Sequence, residues 1–349
     1  MSDKPKVYVA GVGMITPVGF DAASTAAAVK AGVSRYADSP HYNKNFNPMK
    51  MALVPEDALP PLNEKLSSMP ELTARQRRML RLTTPALEEV LMAIPIKDPV
   101  PLFLAVPESI PGVPSAVSGN FLNCLRQQTD AKLDYALSRI LATGRVGGIQ
   151  AIDLAFKYFQ TGQDVVLVGG VDSYLDYYLL SALDAEDRIA AEGILDGFVP
   201  GEAAGFLLLV SERVISKMPG EPLAELYLPA ITNEPGHRYS DEIYKGDGLA
   251  LAITAAIRNG NSFPVKNIIS SMNGEHFFAK EYGVAVARNN KFLDESFNHL
   301  HPADCFGDIG AAFAPVLIGI TAILQDKNVL CYCSSEKDLR AAINLSSTQ

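Results

Sequence analysis

Apolar runs alternate with amphipathic stretches along the whole chain. Val7-Tyr8-Val9-Ala10-Gly11-Val12-Gly13 reads as a buried strand, and Ala22 to Ala31 as an Ala-rich helix. Thr73 to Ile94 has helical spacing, basic at its start and apolar on one side through Leu80, Leu87 and Leu91. Pro99 to Val106, Asp164 to Gly170 and Gly205 to Val210 are continuous apolar segments, a pattern that suits strands covered on both faces. Lys217 to Pro222 has linker character. Beyond it Leu226 to Ile231 and Asn267 to Met272 read as strands, Gly248 to Ile257 as a helix, and Val329 to Cys333 and Ala341 to Leu345 as closing strands. Strands alternating with helices predict an α/β fold, and the linker divides it into halves spanning 1–216 and 223–349. No short repeat or low-complexity tract breaks the pattern.

Ile309 to Leu324 is uncharged and mostly apolar, yet at 16 residues it falls short of the roughly 20 a membrane span needs. Gly307-Asp308 and Asp326-Lys327 bracket it, so it reads as a buried core helix, and no membrane association is expected. The N-terminus carries no signal-peptide core. The chain has 349 residues, 48% of them hydrophobic and 20% charged, the composition of an ordinary globular protein with ample core. Its net charge of -9 argues against nucleic acid as a partner, since phosphate binding needs a basic face. Cys124, Cys305, Cys331 and Cys333 have no CxxC pairing or ligand-spaced His beside them, so neither structural zinc nor another cofactor is implied, and scattered thiols fit a reducing cytoplasm.

The most informative segment begins at Arg145. Arg145-Val146-Gly147-Gly148-Ile149-Gln150-Ala151-Ile152 opens an apolar helix that Gly162 ends, followed by the strand at Asp164 to Gly170. This frame closely resembles the nucleophile segment of the β-ketoacyl-acyl-carrier-protein synthases, the condensing enzymes of the thiolase fold, in which a Cys opens the helix. A register with Leu141 at the Cys position matches the local wording but displaces Gly162 by four residues, and neither register restores a nucleophile. Other segments are similar to the family in the correct order: the opening strand through Thr16-Pro17-Val18-Gly19, the basic helix start Arg77-Arg78, and Asp196-Gly197-Phe198-Val199-Pro200-Gly201-Glu202-Ala203-Ala204-Gly205. Gly246-Asp247-Gly248 and Gly307-Asp308-Ile309-Gly310-Ala311-Ala312 complete the series. The resemblance implies a thiolase-like α/β duplication packed as one unit.

It also implies a damaged active site. The family's chemistry needs a thiolate nucleophile and two imidazoles. A guanidinium stays protonated and cannot replace the Cys. In the frame of the resemblance one His has become Asp308 and the usual lysine Ala303. The other His falls on Asn273, with His276 near enough to leave that register open. The closing glycine-rich turn is replaced by Cys333-Ser334-Ser335-Glu336-Lys337. A cation at a helix N-terminus is unfavourable by about 0.3–1 kcal/mol, and unpaired burial costs several kcal/mol more. Asp308 and Glu275 are therefore expected to neutralise Arg145; the alternative is an anion site in which Arg145 holds a ligand carboxylate or phosphate. Cys305 is a candidate displaced nucleophile, but a buried small apolar residue is the commoner role. His276, His299 and His301 fit no metal-ligand spacing and are expected to cap or hydrogen-bond. Glu202 is expected to support the site structurally, and Tyr174, Tyr177 and Tyr178 to pack in the core or a subunit contact.

The function implied is that of a condensing-enzyme-like pseudoenzyme in fatty acid or polyketide biosynthesis, resembling a chain-length factor, or of a secretion-system accessory. The rival is an acyltransferase or decarboxylase acting on acyl thioesters without the Cys, using Asn273 and Arg145. By resemblance the chain forms a homodimer, or a heterodimer with a related synthase, through a strand near Leu133 to Ile140, and acyl-carrier protein or a secretion-system component is a further possible partner. The short stretch from Val106 to Lys132 implies a small or absent acyl tunnel.

Overall fold

The computed structural model describes residues 5–93, 98–218, 220–260 and 264–348. In the first half, β1 (Val7–Ile15) and α1 (Ala22–Lys30) precede a hairpin, β2 (Ala37–Tyr42) and β3 (Pro48–Met51). A short α2 (Glu64–Ser67), the long α3 (Ala74–Met92), β4 (Leu102–Ala105) and α4 (Phe121–Gln128) follow. Then come β5 (Arg139–Leu141), α5 (Gly147–Gln160), β6 (Val165–Ser173), α6 (Tyr177–Ala185), β7 (Glu202–Ser211) and α7 (Glu212–Ile215). The second half contributes β8 (Ala224–Leu226), β9 (Ala230–Asn233), α8 (Asp247–Asn259), β10 (Val265–Ser270), α9 (His276–Asn289) and β11 (Leu293–Leu300). It closes with α10 (Ala303–Phe306), α11 (Phe313–Leu324), β12 (Val329–Ser334) and β13 (Leu339–Ser347). Ile94, the last residue of the expected helix Thr73 to Ile94, and Pro219 of the linker lie outside the described residues.

Apart from the separate two-stranded β2-β3 sheet, the described strands form one mixed sheet in the order β11-β10-β12-β13-β8-β1-β7-β6-β4-β5, with β9 paired to β13. Strands of the first half occupy one side and those of the second half the other, joined where β8 pairs with β1. The fold is α/β of the thiolase-like type. The largest apolar cluster takes residues from both halves and from α1, α5 and α11 between them; separate clusters lie under α3 and under α8. Gly148 lets α5 and α11 meet, because a Cβ there would lie 2.7 Å from Ala314 Cβ and 2.6 Å from Pro315 Cδ. The run from Ile309 is wholly buried through Ala322, first as a 3-10 turn at Gly310–Ala312 and then as α11.

Two expectations about elements need correction. The single strand at Leu226 to Ile231 is broken into β8 and β9, because Pro229 has no N–H to give a ladder and stands between them. The expected strand from Leu133 to Ile140 shortens to β5 at the edge of the sheet, with Leu133 making only an isolated bridge to Val100.

Candidate functional site

Loops from both halves converge on the residue that opens α5. Arg145 sits in the 3-10 turn Gly144–Val146 and is 2% exposed. Asp308 follows α10 and is pinned by its backbone: its N–H donates to Val199 O at 2.7 Å and its carbonyl accepts Gly201 N–H at 2.8 Å. The loop before β7 thus fixes the backbone at Asp308. Gly310, in the left-handed region at φ 51°, turns the chain so that its N–H donates to Asp308 Oδ1 at 2.9 Å. Arg145 Nε donates to both Asp308 oxygens at 3.2 and 3.1 Å, and Nη2 adds a second bond to Oδ2.

The other carboxylate on Arg145 is Glu336, not Glu275. Glu336 stands on the turn between β12 and β13 and accepts from Arg145 Nη1 at 2.9 Å. Glu275, just ahead of α9, is taken by Arg188 through Nε at 2.7 Å and Nη2 at 2.9 Å, and by Arg238 Nη2 at 2.8 Å. Arg188 Nη2 also reaches Glu336 at 2.9 Å. Asn273 joins the two ends, donating to Asp308 Oδ2 at 2.8 Å and Glu275 Oε2 at 2.9 Å. Arg145, Arg188 and Arg238 therefore balance Asp308, Glu336 and Glu275 in one connected network. Phe278 lies 5.0 Å from the Arg145 guanidinium carbon, a cation–π contact that covers another face.

The electrostatics follow from this pairing. Burial opposes the charge on Arg145, but Asp308, Tyr174 and Glu336 outweigh it and hold the guanidinium firmly protonated. Burial likewise pushes Glu336 up, yet Arg145 and Arg188 win and bring it to about 2. Glu108 lies beside the network with its carboxylate accepting Glu336 N–H at 2.9 Å and Lys337 N–H at 3.2 Å. Burial, reinforced by the Glu336 charge, raises it to about 7. The space left at Arg145 is about 20 Å³, lined by Arg145, Glu336, Asp172, Tyr174 and Gly310 among others, room for about one water.

The remaining candidates sit apart. Cys305 is buried in the central apolar cluster, where burial and then Asp304 push its thiol up, away from a reactive thiolate. Glu202 is fully buried, gripped by Arg78 Nε at 2.7 Å and Nη2 at 2.6 Å and by Ser173 Oγ at 2.8 Å. His299 hydrogen-bonds Ser270 at 2.8 Å and stacks on Tyr282, His301 pairs with Asp304, and the exposed His276 pairs with Asp196. Tyr174 is buried in the core, whereas Tyr177 and Tyr178 are 75% and 70% exposed and lie outside it. Among the described residues no group of three or more His, Cys, Asp or Glu is placed to hold a metal, and no helix is long and apolar enough to cross a membrane. The basic start of α3 turns inward: Arg75 pairs with Asp172, Arg78 with Glu202 and Glu56, and Arg81 with Glu56.

Glu336, Arg188 and Arg238 were not singled out as site residues from the sequence. Glu336 had a signal, since it stands in the segment 333–337 that was expected to depart from the glycine-rich turn of the resembling family. Arg188 and Arg238 had none, because their partner Glu275 is distant in sequence from both.

The fold is the thiolase-like α/β architecture found in ketosynthases. No family model matches the chain, and no curated protein matches it in sequence. Solved structures do. One is from a type II polyketide synthase assembly, AntDE:AntF, an acyl-carrier protein in complex with its ketosynthase; it is 15% identical with a TM-score of 0.77, covering 99% of this chain and 100% of that one. The ishigamide ketosynthase/chain length factor is 14% identical with a TM-score of 0.76 and the same coverage. A β-ketoacyl synthase from Burkholderia phymatum is 16% identical with a TM-score of 0.73, again over 99% and 100%.

Proposed function

We propose that this chain is a non-catalytic subunit of ketosynthase type, a counterpart of a chain-length factor that pairs with an active synthase. The observation that carries the reading is a buried arginine, Arg145, enclosed by Asp308 and Glu336 with space for about one water, at the position where the resemblance puts a nucleophile. Arg145, Asn273 and Asp308 are on this reading the ancestral catalytic positions, refilled by charges that satisfy one another. A guanidinium cannot accept an acyl group, and with both flanking carboxylates engaged it has little to offer a substrate carboxylate. The halves 1–216 and 223–349 act as one scaffold, and β5, whose free edge ends the sheet, is the surface that pairs with a second subunit. The similarity to the ishigamide ketosynthase/chain length factor supports this version over a secretion-system accessory.

The test is to incubate the purified chain with acyl and malonyl thioesters of coenzyme A and of a carrier protein. Intact mass then reads acylation and carbon dioxide release reads decarboxylation. Neither is expected. An acyl adduct, or decarboxylation above the uncatalysed rate, overturns the proposal in favour of a Cys-independent acyltransferase or decarboxylase.

A further inference from the structure

A second cavity, of about 450 Å³, opens between the start of α3, the loop at 114–116 and the start of α6. Its walls are mostly apolar: Pro114, Ala116, Leu175 and the rings of Tyr177 and Tyr178. Both tyrosines are largely exposed. None of the lining residues falls within 133–141, the edge assigned to subunit pairing.

At the floor stands Arg75, 5% exposed. Its Nη2 donates to Asp172 Oδ1 at 2.9 Å, while its Nε is buried with no hydrogen-bond partner. A guanidinium has five N–H donors, so this one is far from satisfied. Asp172 supplies little more, because its second oxygen accepts Ala311 N–H at 3.0 Å. Arg75 is also the second residue of a 19-residue helix. The capping box uses Thr73 for Gln76 N–H, which leaves the N–H groups of Ala74 and Arg75 without a partner inside the helix. The carboxylate of Asp176, also on the wall, is occupied by Leu179 N–H at 2.9 Å. A guanidinium and a helix first turn at the floor of an apolar pocket suit an acceptor that carries negative charge and an apolar body.

We propose that this cavity binds a free carboxylic acid with a compact aromatic or alkyl body. Its carboxylate seats on Arg75 and the first turn of α3, and its body packs against Leu175, Ala116 and the two tyrosines. The site does not depend on the state of Arg145: binding here is compatible with either outcome of the acyl-transfer test.

The probe is phenylbutyrate titrated into the full chain by calorimetry, beside its neutral amide. Saturable binding of the acid is expected, with the amide about tenfold or more weaker. Arg75→Gln should weaken the acid by about tenfold and leave the amide unchanged. Should Arg75→Gln fail to fold, Ser115→Trp, at an exposed lining position, fills the cavity without touching the Arg75–Asp172 pair and should abolish binding of both. Equal binding of acid and amide, binding that survives Ser115→Trp, or no binding of the acid to the wild-type chain each overturns the proposal.

Discussion

Arg145 and Asp308 are 163 residues apart in the chain and meet as a buried fork, with Arg145 Nε donating to both carboxylate oxygens of Asp308 at 3.2 and 3.1 Å. Neither charge is reachable by bulk water, since Arg145 is 2% exposed and Asp308 0%. A buried pair of this kind adds little net stability compared with an apolar pair, but removing one partner strands the other.

Asp308→Asn is therefore expected to destabilise the chain by about 3–5 kcal/mol, read as a lowered urea midpoint with an unchanged slope. Glu336 remains on Arg145, but the variant leaves the network one negative charge short. A loss under about 1 kcal/mol would mean that water already reaches the pair.

Glu336 gives the network an acid limit. Its folded-state value of about 2 lies below the usual 4.5. Its contribution is thus present above pH 4.5 and lost as pH falls toward 2, on the order of 3 kcal/mol in all. Glu336→Gln should remove that part of the acid dependence, seen as a smaller stability difference between pH 5 and pH 3.

Glu108 works in the opposite sense. Raised to about 7, it favours the folded state while protonated, and that contribution is lost as pH rises from 4.5 through 7. His299, lowered to about 4 by burial and by His301, loses its contribution as pH falls from 6.5 through 4, so the wild-type profile mixes the two. The difference between wild type and Glu108→Gln isolates the first effect: the variant should gain roughly 2 kcal/mol relative to wild type between pH 5 and pH 8.

Gly310 is needed for its conformation as well as its size. At φ 51°, an added Cβ would lie 1.9 Å from Asp172 Oδ2. Gly310→Ala should cost about 2 kcal/mol or more, and a thermal melt that moves by under a degree would contradict the turn geometry.

What could be read from the sequence was whatever local pattern encodes. The Gly147-Gly148 pair, the uncharged run through α11 and the Gly307 to Ala312 turn are legible because close packing and a tight turn restrict residue type at short range. Helix α9 was missed because its buried face includes Glu281 and Asn289, polar residues that spoil the apolar period. Glu281 is satisfied by Arg340 and by Ser334, and Asn289 by Thr254 and the backbone of Ala250 and Ala285. The assignment of Glu275 to Arg145 failed for a similar reason. Which carboxylate reaches which guanidinium depends on the β12–β13 turn, whose position is set by Arg340 donating to the carbonyls of Ser335 at 3.0 Å and Leu339 at 2.9 Å. No spacing in the sequence carries that.

The most direct measurement is an electron-density map of the crystallised chain, read at Arg145 after soaking with an acyl thioester and a small carboxylate. A sealed site predicts the guanidinium between Asp308 and Glu336 with at most one ordered water beside it and no ligand density. A guanidinium swung into an open cavity, with an anion or acyl group against it, would contradict the account and restore chemistry to this position.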